Sequence, residues 1–213
     1  MRTGQALSAV SLRDRLFKPT ELRDAGPFAE NFEGSSRFDP SWIVRPEAKG
    51  AKKGKQYSIH LDPTQGAEES HQAMRIDFNF SKATEEDYHA LASNRKKRDI
   101  TLYRGIEFSV KGTDSLVGQF YIQTSQPDDL NKMDQWTGFF DIDRTWKKIR
   151  IPFDEMVISR GWIKRGAKKR GATPGDQVMR LNRVEAIQFG IGSANNEGIS
   201  GSIWIDQIHF YND

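Results

Sequence analysis

Hydrophobic and polar positions alternate along residues 105–125, and the predicted fold is centred on this segment. Ile106, Phe108 and Val110 alternate with polar neighbours, and a second alternating run begins after a Gly-Thr-Asp-Ser turn. Two alternating runs joined by a short turn predict a β-hairpin with one apolar face. The remainder of the chain must cover that face, because apolar surface is driven out of water.

In the second run, Phe120 and Ile122 continue the apolar set. Side chains alternate with a period of two along a strand, so Gln119, Tyr121 and Gln123 are predicted to lie on the opposite face. That face is polar and carries one aromatic ring. It is therefore the first place to look for a binding function.

Similar patterns predict further strands on both sides of this segment. They lie within residues 42–44, 57–61, 74–80, 136–140, 146–153, 184–191 and 202–210. About eight to ten short strands joined by turns are typical of an all-β protein, and they predict an antiparallel two-sheet β-sandwich of the jelly-roll type.

Two segments favour a short helix. Residues 7–24 carry leucines and a valine in a loosely helical rhythm that Pro19 interrupts. Residues 84–92 place acidic side chains ahead of an apolar run, which is typical of a helix N-terminus. We therefore expect one or two short helices, an N-terminal arm or helix within residues 1–27, and one sandwich domain over residues 28–213.

Composition agrees with a folded domain that has much solvated surface. Of 213 residues, 36% are hydrophobic and 29% are charged, while five Trp and thirteen Phe can supply a core. No stretch approaches the roughly 20 apolar residues of a membrane span, and residues 1–10 lack the pattern of a signal peptide. The chain has no cysteine, which excludes disulfides and is compatible with cytoplasm, periplasm or a bacterial exterior.

The net charge of +3 is small but unevenly distributed. Basic clusters occur at residues 49–55, 95–98 and 164–170, the last within a long Gly-punctuated segment. The simplest interpretation is solvated loops. If the clusters converged in space, they would attract anionic partners such as acidic glycans. Nucleic acid is not expected as a partner.

Patterns that indicate catalysis are missing from the sequence. The four histidines share no metal-ligand spacing, and the segment GAKKGK at residues 50–55 departs from a phosphate-binding loop in spacing and in its last residue. Asp141 and Asp143 could form a glycosidase-like carboxylate pair. Neighbouring positions on one strand face do not flank a bond by themselves, however, so we predict that the chain is not an enzyme.

The order of five motifs resembles the galactose-binding-like β-sandwiches. The motifs are NFEG (31–34), YRGIEFSVKG (103–112), WKKIRIPFDEM (146–156), IQFGIG (187–192) and GSIWIDQIHFY (201–211). Within that group, the chain is similar to carbohydrate-binding modules of the β-glucan-binding type and to the complex I intermediate-associated assembly-factor family. The resemblance extends over roughly residues 28–211. It indicates the fold more strongly than it indicates the ligand.

The resemblance to carbohydrate-binding modules implies a groove on one sheet that binds a polysaccharide or oligosaccharide without catalysis. Such grooves combine aromatic rings with amide side chains. The candidate ligand-binding residues are Gln119, Tyr121, Gln123, Gln188 and, at the groove edge, Trp136. Burial of Tyr121 and Trp136 as packing residues is the open alternative. A secreted module would be extracellular or periplasmic.

The same resemblance implies one structural calcium ion, held by Glu33 of NFEG and Asp206 of WIDQI with backbone carbonyls. Alternatively, Glu33 caps a turn and Asp206 pairs with an arginine. The assembly-factor resemblance implies a different function, in which residues 164–170 and the N-terminal arm contact a protein partner and no glycan is bound.

Overall fold

A computed structural model describes residues 23–43, 56–80, 89–169 and 171–213 of the chain. The described residues form thirteen strands. In chain order these are β1 (Ala29–Glu30), β2 (Trp42–Ile43), β3 (Gln56–Asp62), β4 (Ala73–Asn79), β5 (His89–Asn94), β6 (Gly105–Gly112), β7 (Leu116–Ser125), β8 (Lys132–Ile142), β9 (Lys147–Pro152), β10 (Val157–Ile158), β11 (Thr173–Pro174), β12 (Val184–Gly192) and β13 (Ser200–Tyr211).

The strands form two sheets that pack face to face. One is a six-stranded sheet in the order β3-β4-β13-β6-β9, with β1 beside β13. The other is a seven-stranded sheet in the order β10-β8-β7-β12-β5-β2, with β11 beside β8. Every pairing between these strands is antiparallel except that of β11 with β8. The predicted two-sheet β-sandwich is therefore confirmed.

Aromatic rings from both sheets meet at the centre of the core. Phe108 of β6 makes edge-on contacts with Phe140 of β8 and Phe189 of β12, at ring-centroid distances of 4.9 and 5.1 Å. Phe120 of β7 lies 5.0 Å from Phe189. Edge-on arrangement is a favoured geometry for aromatic pairs, and the two Phe108 contacts hold the sheets in a fixed relative position.

The predicted hairpin over residues 105–125 is wrong in its pairing, although both of its strands exist. β6 pairs with β13 and β9, whereas β7 pairs with β8 and β12. The turn at residues 113–115 therefore carries the chain from one sheet to the other. Alternation cannot distinguish the two cases, because in both arrangements the apolar residues of the two strands face a shared core.

The helix predicted over residues 84–92 is wrong in the part that is described, because His89–Asn94 forms β5 at the side of β12. Residues 84–88, like the predicted N-terminal helix up to residue 22, lie outside the described residues. Helical structure elsewhere in the described ranges is short. It consists of three-residue 3₁₀ turns at Phe153–Glu155, Leu181–Arg183 and Ser193–Asn195, a π-helical turn at Trp162–Gly166 and the α-turn Ala167–Lys169.

The basic cluster at residues 95–98 contributes to packing. Arg98 is buried, its Nη1 donates to Asn94 Oδ1 at 2.9 Å, and its guanidinium lies 4.6 Å from the Phe28 ring centroid. Lys96 forms an ion pair with Asp24. Residues on both sides of the predicted boundary at residue 28 thus contact the sandwich. That boundary remains a prediction, and the cluster at 49–55 lies outside the described residues.

The outer face of the six-stranded sheet carries a row of cationic and aromatic side chains. The Arg75 guanidinium and the Lys111 ammonium lie 5.0 and 5.1 Å from the Trp204 ring, and Lys111 also lies 5.0 Å from Trp146. The indole of Trp204 donates to Asp62 Oδ2 at 2.9 Å. Cation–π contacts of this kind stabilise an exposed sheet face by anchoring long side chains across neighbouring strands.

Asp77 holds Arg75 in this row. Arg75 Nε donates to Asp77 Oδ1 at 2.7 Å, and the hydroxyls of Ser58 and Ser202 also donate to this carboxylate. Burial alone would raise the pKa of Asp77, but the hydrogen bonds from Ser202 and Arg75 outweigh it, so the pKa lies below the ordinary 3.8. The ionised carboxylate therefore contributes stability above about pH 4, and this contribution is lost as pH falls through the lowered pKa.

Replacement of Asp77 by Asn is expected to lower the free energy of unfolding by roughly 1–3 kcal/mol at pH 7, because charge-assisted hydrogen bonds are lost. The difference from the wild-type protein should shrink near pH 3. Urea unfolding at both pH values measures it. Asp114→Asn is the matched control, since Asp114 pairs with Arg144 at an exposed position and should change little. A deficit for Asp77→Asn that is equal at both pH values would contradict the electrostatic explanation.

Among the described residues, no helix is long and apolar enough to cross a membrane.

Candidate functional site

The outward side of the seven-stranded sheet, here called the polar face, gathers the predicted ligand-binding glutamines and Tyr121. Cross-strand partners project to the same side of a sheet, so the register shows which residues lie side by side. The central row contains, in order, Val157, Thr137, Tyr121, Gln188, Ser93 and Ile43. On one side of the central row, the next row contains Phe139, Gln119, Gly190 and Leu91. On its other side, still on the same face of the sheet, Gln123 is paired with Gln135.

Tyr121, Gln119 and His89 form a hydrogen-bonded group on this face. The Tyr121 hydroxyl donates to Gln119 Oε1 at 2.7 Å, and His89 Nδ1 lies 3.0 Å from the same oxygen. The rings of His89 and Tyr121 are edge-on, with centroids 6.1 Å apart. The three side chains come from β5 and β7, so this group also ties together strands that flank β12.

A second chain of hydrogen bonds runs through Gln188. Gln135 Nε2 donates to Gln188 Oε1 at 3.0 Å, and Gln188 Nε2 donates to Ser93 Oγ at 2.7 Å. Gln123 differs, because its buried Nε2 has no hydrogen-bond partner among the described residues. An unsatisfied buried donor costs free energy, so Gln123 is the least favourably placed member of this polar layer.

Burial divides the polar face into a closed floor and an open margin. The predicted residues Gln119, Tyr121, Gln123 and Gln188 are only 0–6% exposed, which differs from the expected open groove. Phe139 and Val157 are 54% exposed and Ile43 is 41% exposed. A ligand approaching the face therefore meets apolar side chains at the margin. The side chains of the floor are held in position by hydrogen bonds.

Trp136 does not lie on this face, which corrects the expectation that it stands at the groove edge. It pairs with Ile122, a core residue, and packs against the hydrophobic core. Its indole Nε1 is buried and finds no hydrogen-bond partner in the described part of the chain. The alternative interpretation, in which Trp136 is a packing residue, describes it correctly. Residue 136 lies well inside β8, which begins at Lys132.

Phe139, His89 and Gln135 are members of the face that were not predicted from the sequence. Phe139 precedes Phe140, and alternation along β8 allows only one of two adjacent aromatic residues to face the core. The alternation of inward and outward positions along β8 is the signal that identifies Phe139 as an outward residue. His89 cannot be found in this way, because the sequence around it predicts a helix.

The long basic segment after β10 is attached to the edge of the polar face. Ser159 N donates to the Gln135 carbonyl at 2.8 Å, and the Trp162 indole donates to the Met133 carbonyl at 2.8 Å. Asp134 accepts hydrogen bonds from the backbone amide of Gln177 at 2.9 Å and from that of Gly175. Burial raises the pKa of the Asp134 carboxyl above its ordinary value. These contacts hold the segment beside β8.

Glu33, one of the two predicted calcium ligands, is used as an anchor for a loop. Its Oε1 accepts hydrogen bonds from the Ser70 hydroxyl at 2.8 Å and from the backbone amides of His71 and Gln72 at 2.7 and 2.9 Å. These hydrogen bonds, led by that of Ser70, lower the pKa of Glu33. The arrangement resembles the turn-capping alternative.

Asp206, the other predicted ligand, is fully buried and contacts the same loop. Its Oδ2 accepts from the Ala67 amide at 2.9 Å and its Oδ1 from the Gln207 amide at 2.7 Å. Burial raises its pKa, and the nearby charge of Glu33 adds to the effect. Glu33 and Asp206 are thus brought to one loop, as the calcium hypothesis requires, and no arginine pairs with Asp206 among the described residues.

These two carboxylates form an incomplete fit to calcium. Calcium takes about six to eight oxygen ligands, and the N–H groups around Glu33 and Asp206 are donors that cannot bind a cation. The described part of the chain contains no group of three or more His, Asp or Glu side chains suited to a metal ion. The remaining ligands would have to be backbone carbonyls and water, so the calcium site stays a prediction.

Two glycines of β12 leave space at the centre of the polar face that a side chain would otherwise fill. A Cβ added at Gly190 would lie 2.0 Å from the Ala90 carbonyl oxygen, and one at Gly192 would lie 2.9 Å from both Gln119 Oε1 and His89 Nδ1. The missing side chains allow β5 to approach β12 and leave room for the group formed by Tyr121, Gln119 and His89.

Substitution of Gly190 by Ala is expected to destabilise the protein by roughly 2 kcal/mol or more, because the backbone of β5 must move to accept the methyl group. Thermal or urea unfolding measures the change. Gly161→Ala is the control, since φ at Gly161 is −64° and a Cβ added there would meet no atom within 4 Å. Equal stability of both variants would show that the spacing between β5 and β12 is not constrained by Gly190.

Comparison with known proteins identifies the family. The sequence model of the carbohydrate binding domain family 11 matches residues 28–213. No curated protein gives a significant match to the chain.

Solved structures agree with the sandwich fold. The chain is similar to the family 11 carbohydrate-binding module of a cellulosomal cellulase of Clostridium thermocellum, with 18% identity, a TM-score of 0.61 and coverage of 89% of this chain and 96% of that chain. It is also similar to a Clostridium thermocellum family 11 module in complex with a β-1,3-1,4-mixed-linked tetrasaccharide, with 20% identity, a TM-score of 0.61 and coverage of 88% and 96%.

A third similar structure is the family 30 carbohydrate-binding module of a Clostridium thermocellum cellulosomal cellulase, with 14% identity, a TM-score of 0.55 and coverage of 83% of this chain and 95% of that chain. At these identities the structural matches establish the fold alone. The family model, by contrast, extends from the first strand of the sandwich to the last residue, and on this ground the chain belongs to the family 11 carbohydrate-binding domains.

Proposed function

We propose that this chain is a noncatalytic module that binds a neutral polysaccharide or oligosaccharide along the polar face. The observation that carries the proposal is the composition of that face. Uncharged amide and hydroxyl side chains cross the sheet in its central row, and exposed apolar side chains lie at the margin. A sugar presents the complementary chemistry, with apolar C–H surfaces between hydrogen-bonding hydroxyls.

Phe139 is the side chain best placed to contact a sugar ring. It is 54% exposed and lies beside Gln119 on the polar face. Its ring offers an apolar surface for the C–H groups of a pyranose. The hydrogen-bonded floor gives the surrounding surface a fixed shape, which lowers the entropic cost of binding.

The lack of free charge on the central rows favours an uncharged glycan. Glu185, at one end of the face, forms ion pairs with Arg23 and Lys97. The two rows that contain Tyr121 and Phe139 include no carboxylate. Hydrolysis of a glycosidic bond usually needs two carboxyl groups across that bond. These rows therefore support binding without cleavage, and mixed-linked β-glucan, the ligand type of the similar Clostridium thermocellum module, is the first probe.

A glycan array with the purified chain at two salt concentrations tests the proposal. We expect binding to neutral β-glucans that does not depend on salt and that Phe139→Ala weakens by about fivefold, since an aromatic contact is worth about 1 kcal/mol. Leu102→Ala is the matched control, because Leu102 is an exposed apolar residue in the turn after Ile100, away from the rows of the polar face. Binding only to anionic polymers, with steep salt dependence, would contradict the proposal.

The family and structural matches favour carbohydrate binding over the assembly-factor alternative. The alternative predicts a protein partner and no glycan. If the array showed no binding at all, the interaction hypothesis would become the better one.

Calcium binding at Glu33 and Asp206 is a separate, structural part of the proposal. It is supported by the convergence of both carboxylates on the loop at residues 67–72. Bound to the native state at about 100 times its Kd, calcium would stabilise the fold by about 2.7 kcal/mol, so EDTA should lower the melting temperature by roughly 5–10 °C.

Glu33→Gln should reduce this sensitivity to EDTA, whereas Glu155→Gln, the same change at an exposed carboxylate elsewhere, should keep it. Equal melting temperatures with and without EDTA, in protein shown by elemental analysis to contain no metal after refolding with calcium, would remove the calcium site.

A further inference from the structure

A cavity of about 340 Å³ opens at one end of the sandwich, where the start of β7, the end of β8 and the turn after β12 meet. Its lining combines an apolar base with a polar mouth. Leu116, Ile142 and Ile199 are less exposed lining residues and form the base, while the exposed residues Asp141, Asp143 and Asn195 form the mouth. A concave site with this distribution of apolar and polar groups is typical of small-ligand pockets.

Two polar groups at the mouth are free to bind. The Asp141 carboxylate and the Asn195 amide are exposed and form no side-chain hydrogen bond or ion pair with the described residues. Asp143 differs, because it lies 3.6 Å from Lys147 Nζ. The carboxylate accepts hydrogen bonds, and the amide both donates and accepts them.

The turn that carries Asn195 is held rigidly by its neighbour. Asn196 is buried, and its side chain accepts from the Val117 amide at 3.0 Å and donates to the carbonyls of Val117 and Gly192 at 3.0 and 2.8 Å. These hydrogen bonds attach the turn to the first residues of β7. The pocket is therefore a preformed feature of the sandwich end.

The pocket continues the polar face. Asp141 pairs with Val117 and lies two residues from Phe139 on β8, so both side chains project to the same side of the sheet. Two residues along a strand span about 7 Å. The next one or two units of a saccharide in contact with Phe139 would therefore reach the pocket.

We propose that this pocket is a sugar subsite, which takes the terminal pyranose of a neutral saccharide bound on the polar face. The proposal rests on the proposed function and adds a specific end position to it. Asp141 and Asn195 bind hydroxyls of the terminal ring, and the partly exposed Ile199 contacts its C–H surface. Two carboxylates against the single cation of Lys147 disfavour an anionic terminal sugar.

Titration of ¹⁵N-labelled protein with the β-1,3-1,4-mixed-linked tetrasaccharide, followed by amide NMR spectra, tests the subsite. We expect the resonances of Val117, Asp141 and Asn195 to shift together with those of Phe139 and its neighbours. Asp141→Ala should weaken binding about fivefold or more, as expected for the loss of a charge-assisted hydrogen bond. Asp154→Ala, at an exposed carboxylate outside the pocket, should bind like the wild-type protein.

The outcomes separate the subsite from the polar face. Shifts confined to Phe139 and the central row, with wild-type affinity for Asp141→Ala and for Asn195→Ala, would overturn the subsite and leave the proposed function intact. Shifts confined to the pocket would show a separate sugar site there, and would overturn both binding along the face and its continuation into the pocket. A spectrum that does not change in either region would overturn both. The dispersion of the same spectra shows that each variant is folded.

Discussion

The contact between the inner faces of the two sheets is the interaction on which the rest of the structure depends. Phe108 comes from one sheet, and Phe120, Phe140 and Phe189 come from the other. Burial of these rings and of the aliphatic side chains around them is the main favourable term for a sandwich of this size. Because the inner positions of β7, β8 and β12 are committed to this core, the alternate positions must all project outward. The polar face is the direct consequence of that constraint.

The outward positions of the seven-stranded sheet are polar but shielded, and this combination explains their hydrogen bonds. A buried amide or hydroxyl without a partner is costly, so Gln119, Tyr121, Gln135 and Gln188 bond to one another or to neighbours on the face. Gly190 and Gly192 leave the space in which part of this network fits. The network gives the face a fixed shape, while the exposed margin supplies the apolar surface. A sugar-binding surface needs both properties.

The outer face of the six-stranded sheet is stabilised differently from the loops at the two ends of the sandwich. Ion pairs and cation–π contacts arrange Arg75, Lys111 and Trp204 on the six-stranded sheet, and Glu33 and Asp206 anchor the loop at residues 67–72 through backbone amides. Asn196 performs a similar task at the end that holds the pocket. At both loops, polar side chains satisfy backbone groups that have no sheet partner. The turn fixed in this way presents Asn195 in a constant position beside Asp141 of β8.

Alternation of apolar and polar residues determined most of the strands of this protein and the inward or outward direction of Phe120, Ile122, Gln119, Tyr121 and Gln123, because the period of two is a property of the extended backbone. The order of motifs also indicated the family. Only the tertiary structure decided that β6 and β7 lie in different sheets, that residues 89–94 join the seven-stranded sheet, and that Trp136 faces the core while Phe139 faces outward. Burial of the polar floor and the pocket beside Asp141 were decided in the same way. These features depend on which distant segments pack together, and local periodicity carries no information about that choice.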